Sequence, residues 1–132
     1  MRRRFFVAAA VSLVTRFVAA SVTAAPADPA SFYRGRTIQL LIGFGPTGGY
    51  DTYARTLARF MGKHIPGNPT IVPQNMPGAG SLKVANYIYN VAPKDGTVIA
   101  TFARGLPMER LLGRTAGQQF DATKFTWIGR IT

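Results

Sequence analysis

The sequence has 132 residues, of which 47% are hydrophobic and 16% are charged, and these proportions are typical of a single globular domain. It contains no cysteine and one histidine, which excludes thiol nucleophiles, iron–sulfur clusters and thiolate zinc sites and leaves no expected metal centre. The formal net charge of +11 would suit nucleic-acid binding only if the basic residues were clustered.

The first 27 residues have the pattern of a secretory signal peptide. Three arginines precede an apolar stretch at 5–14, and small residues follow as far as Ala27. We expect cleavage after Ala27, with Ala24 as the alternative, and export to the periplasm by the general secretory route in preference to the twin-arginine route. A membrane anchor is disfavoured because the apolar stretch is shorter than the roughly 20 residues that cross a bilayer. Removing residues 1–27 takes away four arginines and no acidic residue, which lowers the net charge from +11 to +7.

The first predicted unit of the fold is a strand followed by a helix. Residues 37–42 form a β-branched and apolar run, which is typical of a strand buried on both faces of a parallel sheet. After a glycine-rich loop, apolar side chains recur at helical spacing, at Tyr50, Tyr53, Ala54, Leu57, Ala58 and Met61. The basic residues Arg55, Arg59 and Lys63 are predicted to lie on the solvated side of this helix.

The same strand–loop–helix pattern then repeats. The remaining predicted elements are a strand at 69–73, a helix at 82–92, a strand at 97–102, a helix at 106–112 and a strand at 125–131. Ser81 is the predicted N-cap of the helix at 82–92. This alternation predicts an α/β fold with helices flanking a mostly parallel sheet. Ligands bind at the carboxyl ends of the strands in such sheets, so we expect function in the loops after the first three strands.

The loop at 43–48 satisfies the pattern G-x-G-x-x-G between a strand and a helix. A dinucleotide site of this type also needs an acidic residue near the end of the second strand, where this sequence reads VPQN at 72–75. Pro46 also stiffens a segment that would have to wrap a pyrophosphate. We therefore expect no nicotinamide or other cofactor.

Glycines before two predicted helices indicate an anion site instead. Gly48 and Gly49 precede the first long helix, and Gly78 and Gly80 precede the second. Glycine lets a ligand approach the backbone, and the N–H groups at a helix start carry partial positive charge. Either loop alone fits a tight turn better than a site, but two such helix starts converging on one point favour a small carboxylate ligand.

Few side chains are suited to catalysis or to charge recognition. Arg104 follows the third strand and is a candidate partner for a second carboxylate, or else a solvated surface charge. Asp51 is interpreted as a helix cap in preference to a ligand for a substrate amine, and His64 as a partner of the helix C-terminal dipole. Ser81 has no histidine in either loop to act as its base, so we do not expect an enzyme. The basic residues beyond position 27 are scattered, which argues against nucleic acid as a partner.

Four motifs occur in order along the chain: FYRGRTI at 32–38, GGYDTYAR at 48–55, PQNMPGAGS at 73–81 and APKDGT at 92–97. Together they resemble the substrate-binding proteins of tripartite tricarboxylate transporters, the Bug receptors. The resemblance implies a periplasmic solute-binding protein of type II, with two α/β lobes and a cleft between them. It also implies a small organic carboxylate as ligand, two integral membrane transporter subunits as partners and a monomeric receptor.

The resemblance further implies that backbone N–H groups and water hold the ligand carboxylate at the loops after the first two strands. The corresponding residues are Thr47, Gly48, Gly49, Tyr50, Gly78, Ala79, Gly80 and Ser81. Thr47 stands where many members have glycine. A full member is more than twice as long, so we expect 28–132 to be the N-terminal part of the first lobe, with 125–132 leading towards the second. The alternative is an exported α/β enzyme whose catalytic residues lie in a missing C-terminal half.

Overall fold

The computed structural model describes residues 28–130, so the predicted signal peptide at 1–27 lies outside the described residues. The helices and strands are α1 (Pro29–Tyr33), β1 (Thr37–Ile42), α2 (Gly49–Met61), β2 (Thr70–Asn75), α3 (Leu82–Asn90), β3 (Val98–Thr101) and α4 (Leu106–Glu109). Short 3₁₀ turns lie at Gly62–His64, Ala79–Ser81 and Ala122–Lys124. Across 28–130, no helix combines the length and the apolar character needed to cross a membrane.

The three strands form one parallel sheet in the order β2–β1–β3. Ile42, the last residue of the central strand, is level with Asn75 on β2 and with Thr101 on β3. The carboxyl ends of all three strands therefore meet at one edge of the sheet. This arrangement confirms the predicted α/β fold and places the three following loops side by side.

Helices pack against both faces of this sheet. On the face covered by α2, the buried core comprises Ile38, Leu40, Ile42, Ala54 and Ile71. Side chains alternate along a strand, so Leu41 and position 43 face the opposite side. On that side, a Cβ atom added to Gly43 would overlap the side chain of Val84 in α3. The end of β1 is thus enclosed on both faces, as its apolar run predicts.

Helix α2 lies where the periodicity predicts, and Ala54, Ala58 and Met61 of the predicted stripe pack on the sheet, but part of that stripe is exposed. Tyr53 and Leu57 belong to the predicted apolar stripe, and yet they are 58% and 37% exposed. Ala54 is buried, and its buried neighbour one turn earlier is Asp51, which is only 4% exposed. A buried carboxylate is tolerated when it is hydrogen-bonded, and the partners of Asp51 account for its burial beside Ala54.

The chain after β3 departs most from the predicted elements. The helix predicted at 106–112 has only the four residues of α4. The strand predicted at 125–131 is not formed over residues 125–130, because a strand needs a hydrogen-bonded neighbour and this segment has none in the described sheet. Phe125 and Trp127 instead pack on Phe102, and Trp127 Nε1 donates to the Ala122 carbonyl oxygen at 3.0 Å.

Candidate functional site

Three loops leave the carboxyl edge of the sheet: loop 1 (43–48), loop 2 (76–81) and loop 3 (102–105). Backbone hydrogen bonds join the first residues of loops 1 and 2 to the neighbouring strands. The N–H of Gly43 donates to the Thr101 carbonyl oxygen at 2.9 Å, and that of Met76 donates to the Ile42 carbonyl oxygen at 2.7 Å. A Cβ atom at Gly43 would overlap the Cβ atom of Ser81, so the start of loop 1 touches the end of loop 2.

Loop 1 leads into the first turn of α2. Gly48 is the N-cap of this helix, and as a glycine it has no side chain with which to cap the first N–H groups. A helix leaves its first N–H groups without intrahelical acceptors, so the donors of the turn that begins at Gly49 are available to an outside group. A Cβ atom added to Gly49 would meet nothing within 4 Å, which shows open space beside this turn. The geometry fits the predicted approach of a ligand to the backbone.

Loop 2 has an unusual backbone. Gly78, Ala79, Gly80 and Ser81 have φ angles of 151°, 47°, 60° and 73° in succession. Such a conformation costs a residue other than glycine about 1–2 kcal/mol. Residues 28–130 contain four non-glycine residues with positive φ, and three of them, Thr47, Ala79 and Ser81, belong to loops 1 and 2. Backbone strain of this kind concentrates where a protein holds a ligand.

Ser81 occupies the predicted N-cap position of α3, but its side chain connects loop 2 to loop 3 and does not cap the helix. Its side chain makes no cap hydrogen bond, because the left-handed backbone at Ser81 is not the extended conformation of a capping residue. Its Oγ instead accepts the Ala103 N–H at 2.7 Å. Ser81 is 1% exposed, so this hydroxyl is a buried link between two loops.

Tyr50 and Arg104 meet at the other side of the site. The Tyr50 ring stacks on Phe44, with 4.2 Å between the ring centroids and an angle of 14° between the planes. Tyr50 Oη accepts the Arg104 backbone N–H at 3.3 Å. Arg104 is exposed. The structure therefore brings the predicted residues of loop 1, α2 and loop 3 together, and an aromatic pair forms one wall.

Asp51 is not the N-cap of α2, since that position belongs to Gly48. Its carboxylate accepts the Thr47 backbone N–H at 3.1 Å, the Arg55 Nε–H at 2.9 and 3.0 Å, and the Asn75 Nδ2–H at 2.7 Å. These bonds, foremost those from Arg55 and then Asn75, lower the pKa of Asp51 from 3.8 to about 2, although burial opposes the shift. The carboxylate is therefore ionised at neutral pH.

Sequence reasoning missed Asn75 and misplaced Arg55. Arg55 was predicted on the solvated side of α2, but its side chain is 42% exposed and its guanidinium is bonded to Asp51 and Asn75. The i, i+4 spacing of Asp51 and Arg55 was a usable indication of their ion pair. Asn75 offered only its place at the end of the second predicted strand.

His64 lies in the 3₁₀ turn after α2, at the far end of that helix from the loops, as the sequence predicts. Residues 28–130 contain no group of three side chains that could hold a metal ion. The groups that loops 1 and 2 offer to a ligand are backbone N–H groups, and the Tyr50 hydroxyl and the exposed Arg104 lie at the start of α2 and in loop 3. Such donors can bind an anion without a metal or a covalent step.

Comparison with known proteins gives one informative match. No family model and no solved structure matches the chain. Over 112 residues, or 84% of its length, the chain is 38% identical to a protein of Cupriavidus necator named "UPF0065 protein in gbd 5'region". The chain spans about a third of the length of that relative, 32%. UPF0065 is the family name of the Bug receptors, so this similarity supports the family that the four sequence motifs indicate.

Proposed function

We propose that the chain is the N-terminal part of a periplasmic receptor of the Bug type, which binds a small organic carboxylate and delivers it to two integral membrane subunits of a tripartite transporter. The observation that carries the proposal is the left-handed backbone of loop 2, which lies against the start of loop 1. The similarity to the Cupriavidus necator protein supports the receptor class.

The proposed ligand is an anion because of how the two loops end. Each leads into a helix, α2 or α3, whose first N–H groups carry a combined partial charge of about half a unit. The proposed contacts are Thr47, Gly48, Gly49, Tyr50, Gly78, Ala79, Gly80, Ser81 and Arg104. A carboxylate at this point would accept hydrogen bonds from both helix starts. The Arg104 backbone lies against Tyr50 at the start of α2, and its guanidinium is the proposed partner of a second carboxylate of the same ligand.

The chemistry of the side chains supports binding in preference to catalysis. Ser81 is the one hydroxyl of loop 2, and its oxygen accepts a backbone N–H inside the fold. Asp51 has a lowered pKa and is enclosed by donors, which makes it a weak base. Neither group is arranged for acyl transfer or proton abstraction from a ligand.

The proposal is tested by calorimetric titration of the complete secreted protein with succinate, citrate and L-glutamate. We expect saturable heat with at least one of these acids and a higher melting temperature in its presence. Acetamide, which lacks the charge, serves as the control ligand. If no organic acid produces heat or a thermal shift, the proposed function is wrong.

A further inference from the structure

Beneath loops 1 and 2 lies a cluster of three polar side chains, Asp51, Arg55 and Asn75, which we call the clamp. Every pair within it is hydrogen-bonded. Arg55 Nε donates to both oxygens of Asp51, Arg55 Nη2 donates to Asn75 Oδ1 at 2.7 Å, and Asn75 Nδ2 donates to Asp51 Oδ1 at 2.7 Å. Asp51 is buried, Asn75 is half-buried and the Arg55 side chain is 42% exposed, so the cluster extends from the interior to the surface.

The clamp bonds loop 1 near both of its ends. Asp51 Oδ2 accepts the Thr47 N–H at 3.1 Å, and Asn75 Nδ2 donates to the Phe44 carbonyl oxygen at 2.9 Å. Asn75 is also the last residue of β2, so the same amide fixes the point from which loop 2 begins. One asparagine side chain thus joins loop 1 to the end of β2, beside the backbone bond of Met76 to Ile42.

The orientation of the Asn75 amide is determined by its neighbours. With Oδ1 towards Arg55, the oxygen faces a donor, and the NH₂ group faces two acceptors, the Asp51 carboxylate and the Phe44 carbonyl. Turning the amide over would place its NH₂ against the guanidinium and its oxygen against both acceptors. Arg55 therefore selects the amide orientation in which Asn75 joins the loops.

We propose that Asp51, Arg55 and Asn75 are positioning residues, which hold the backbone donors of loops 1 and 2 at the separation that a carboxylate requires. This inference rests on the proposed function, but it assigns affinity to three side chains that do not touch the ligand. It also changes the role of Thr47, because the Thr47 N–H already donates to Asp51 and is not a free donor for the ligand.

The test uses the isosteric substitution Asn75→Asp in the complete secreted protein. An aspartate keeps the shape of the side chain but places an acceptor against the Asp51 carboxylate and the Phe44 carbonyl. We expect the dissociation constant for succinate or citrate to rise about tenfold or more, the effect of losing one charge-assisted hydrogen bond. We also expect faster amide hydrogen exchange at 78–81, a segment that residue 75 precedes.

The matched control is Asp95→Asn. Asp95 accepts hydrogen bonds from the N–H and hydroxyl groups of Thr97, before β3 and at the opposite edge of the sheet from the loops. We expect this variant to leave both the affinity and the exchange at 78–81 unchanged. If Asn75→Asp does not fold, Arg55→Lys replaces it: the charge remains, but the ammonium cannot reproduce the planar set of donors that orients the amide.

The outcomes separate this inference from the proposed function. If the unmodified protein binds no organic acid, the proposed function fails, while the exchange rates at 78–81 still decide whether the clamp orders loop 2. If the clamp variants fold and bind with unchanged affinity and unchanged exchange, the positioning role is refuted. A fall in thermal stability with both readouts unchanged also refutes it, since it shows a purely structural role.

Discussion

Replacing Gly43 with alanine should destabilise the protein at the point where the three loops meet. The added Cβ atom would overlap the side chains of Ser81 and Val84 and would lie 3.2 Å from the Thr101 carbonyl oxygen. Ser81 and Val84 are almost fully buried and have no free space to move into. Overpacking of this kind costs about 1–3 kcal/mol. Displacement of Ser81 would also weaken its hydrogen bond to Ala103, which adds about 1 kcal/mol.

The free energy of unfolding, measured by urea titration, checks this prediction with a control from the same loop. A Cβ atom at Gly45 would meet nothing within 4 Å, so Gly45→Ala should change the free energy of unfolding little. We expect the Gly43 variant to lose about 2–4 kcal/mol relative to the Gly45 variant. Equal stabilities for the two variants would show that the end of β1 is not packed against α3 and loop 2 as described.

Four further predictions concern the ligand, the buried hydroxyl, pH and export. Gly49→Val should weaken carboxylate binding in calorimetry without loss of stability, because its Cβ meets only open space. Gly80 is less suitable for this test, because its φ of 60° would add strain to any substitution. An unchanged dissociation constant for the Gly49 variant would refute the placement of the ligand. Ser81→Ala leaves the buried Ala103 N–H unpaired and should reduce the free energy of unfolding by about 1–3 kcal/mol. Urea titration checks this, and an unchanged free energy of unfolding would contradict it. The lowered pKa of Asp51 means that its stabilising effect is complete above about pH 4 and is lost as the pH falls towards 2. Asp51→Asn should therefore make the free energy of unfolding, measured by urea titration, depend less on pH between 4 and 2. An unaltered dependence would contradict the ion pair. N-terminal sequencing of the exported protein should find cleavage after Ala27; an intact N-terminus would rule out the signal peptide.

Local patterns predicted where the elements lie, and non-local contacts decided which way they face. The helix at 50–61 was identified from local sequence, because the apolar periodicity and the flanking glycines agree. The burial of Asp51 was not, because one of its donors is Asn75, twenty-four residues further on, although Thr47 and Arg55 are local partners. The contact between Asp51 and Asn75 joins two different elements of the fold and is not visible in a local pattern.

The candidate site divides in the same way. The strand pattern correctly indicated that the glycine-rich loops leave the same edge of the sheet, whereas the ligand-binding role of Gly48, Gly49, Gly78 and Gly80 stays a prediction. The left-handed backbone at Ser81 was not predictable, since a serine before a helix is ordinarily an extended N-cap. The missing strand at 125–130 has a related cause: β-branched and aromatic composition favours a strand, but pairing depends on what lies beside it.

The Ser81 hydroxyl has a consequence for the thermodynamics of recognition. Because it ties loop 2 to loop 3, the conformational entropy of these segments is lost when the chain folds and not when a ligand arrives. A small acid has few atoms, and each contributes at most about 1.5 kcal/mol of binding free energy. A ligand of that size cannot order three flexible loops and still bind well. If the proposed small acid is the ligand, loops that are already ordered leave more of its limited binding free energy for affinity.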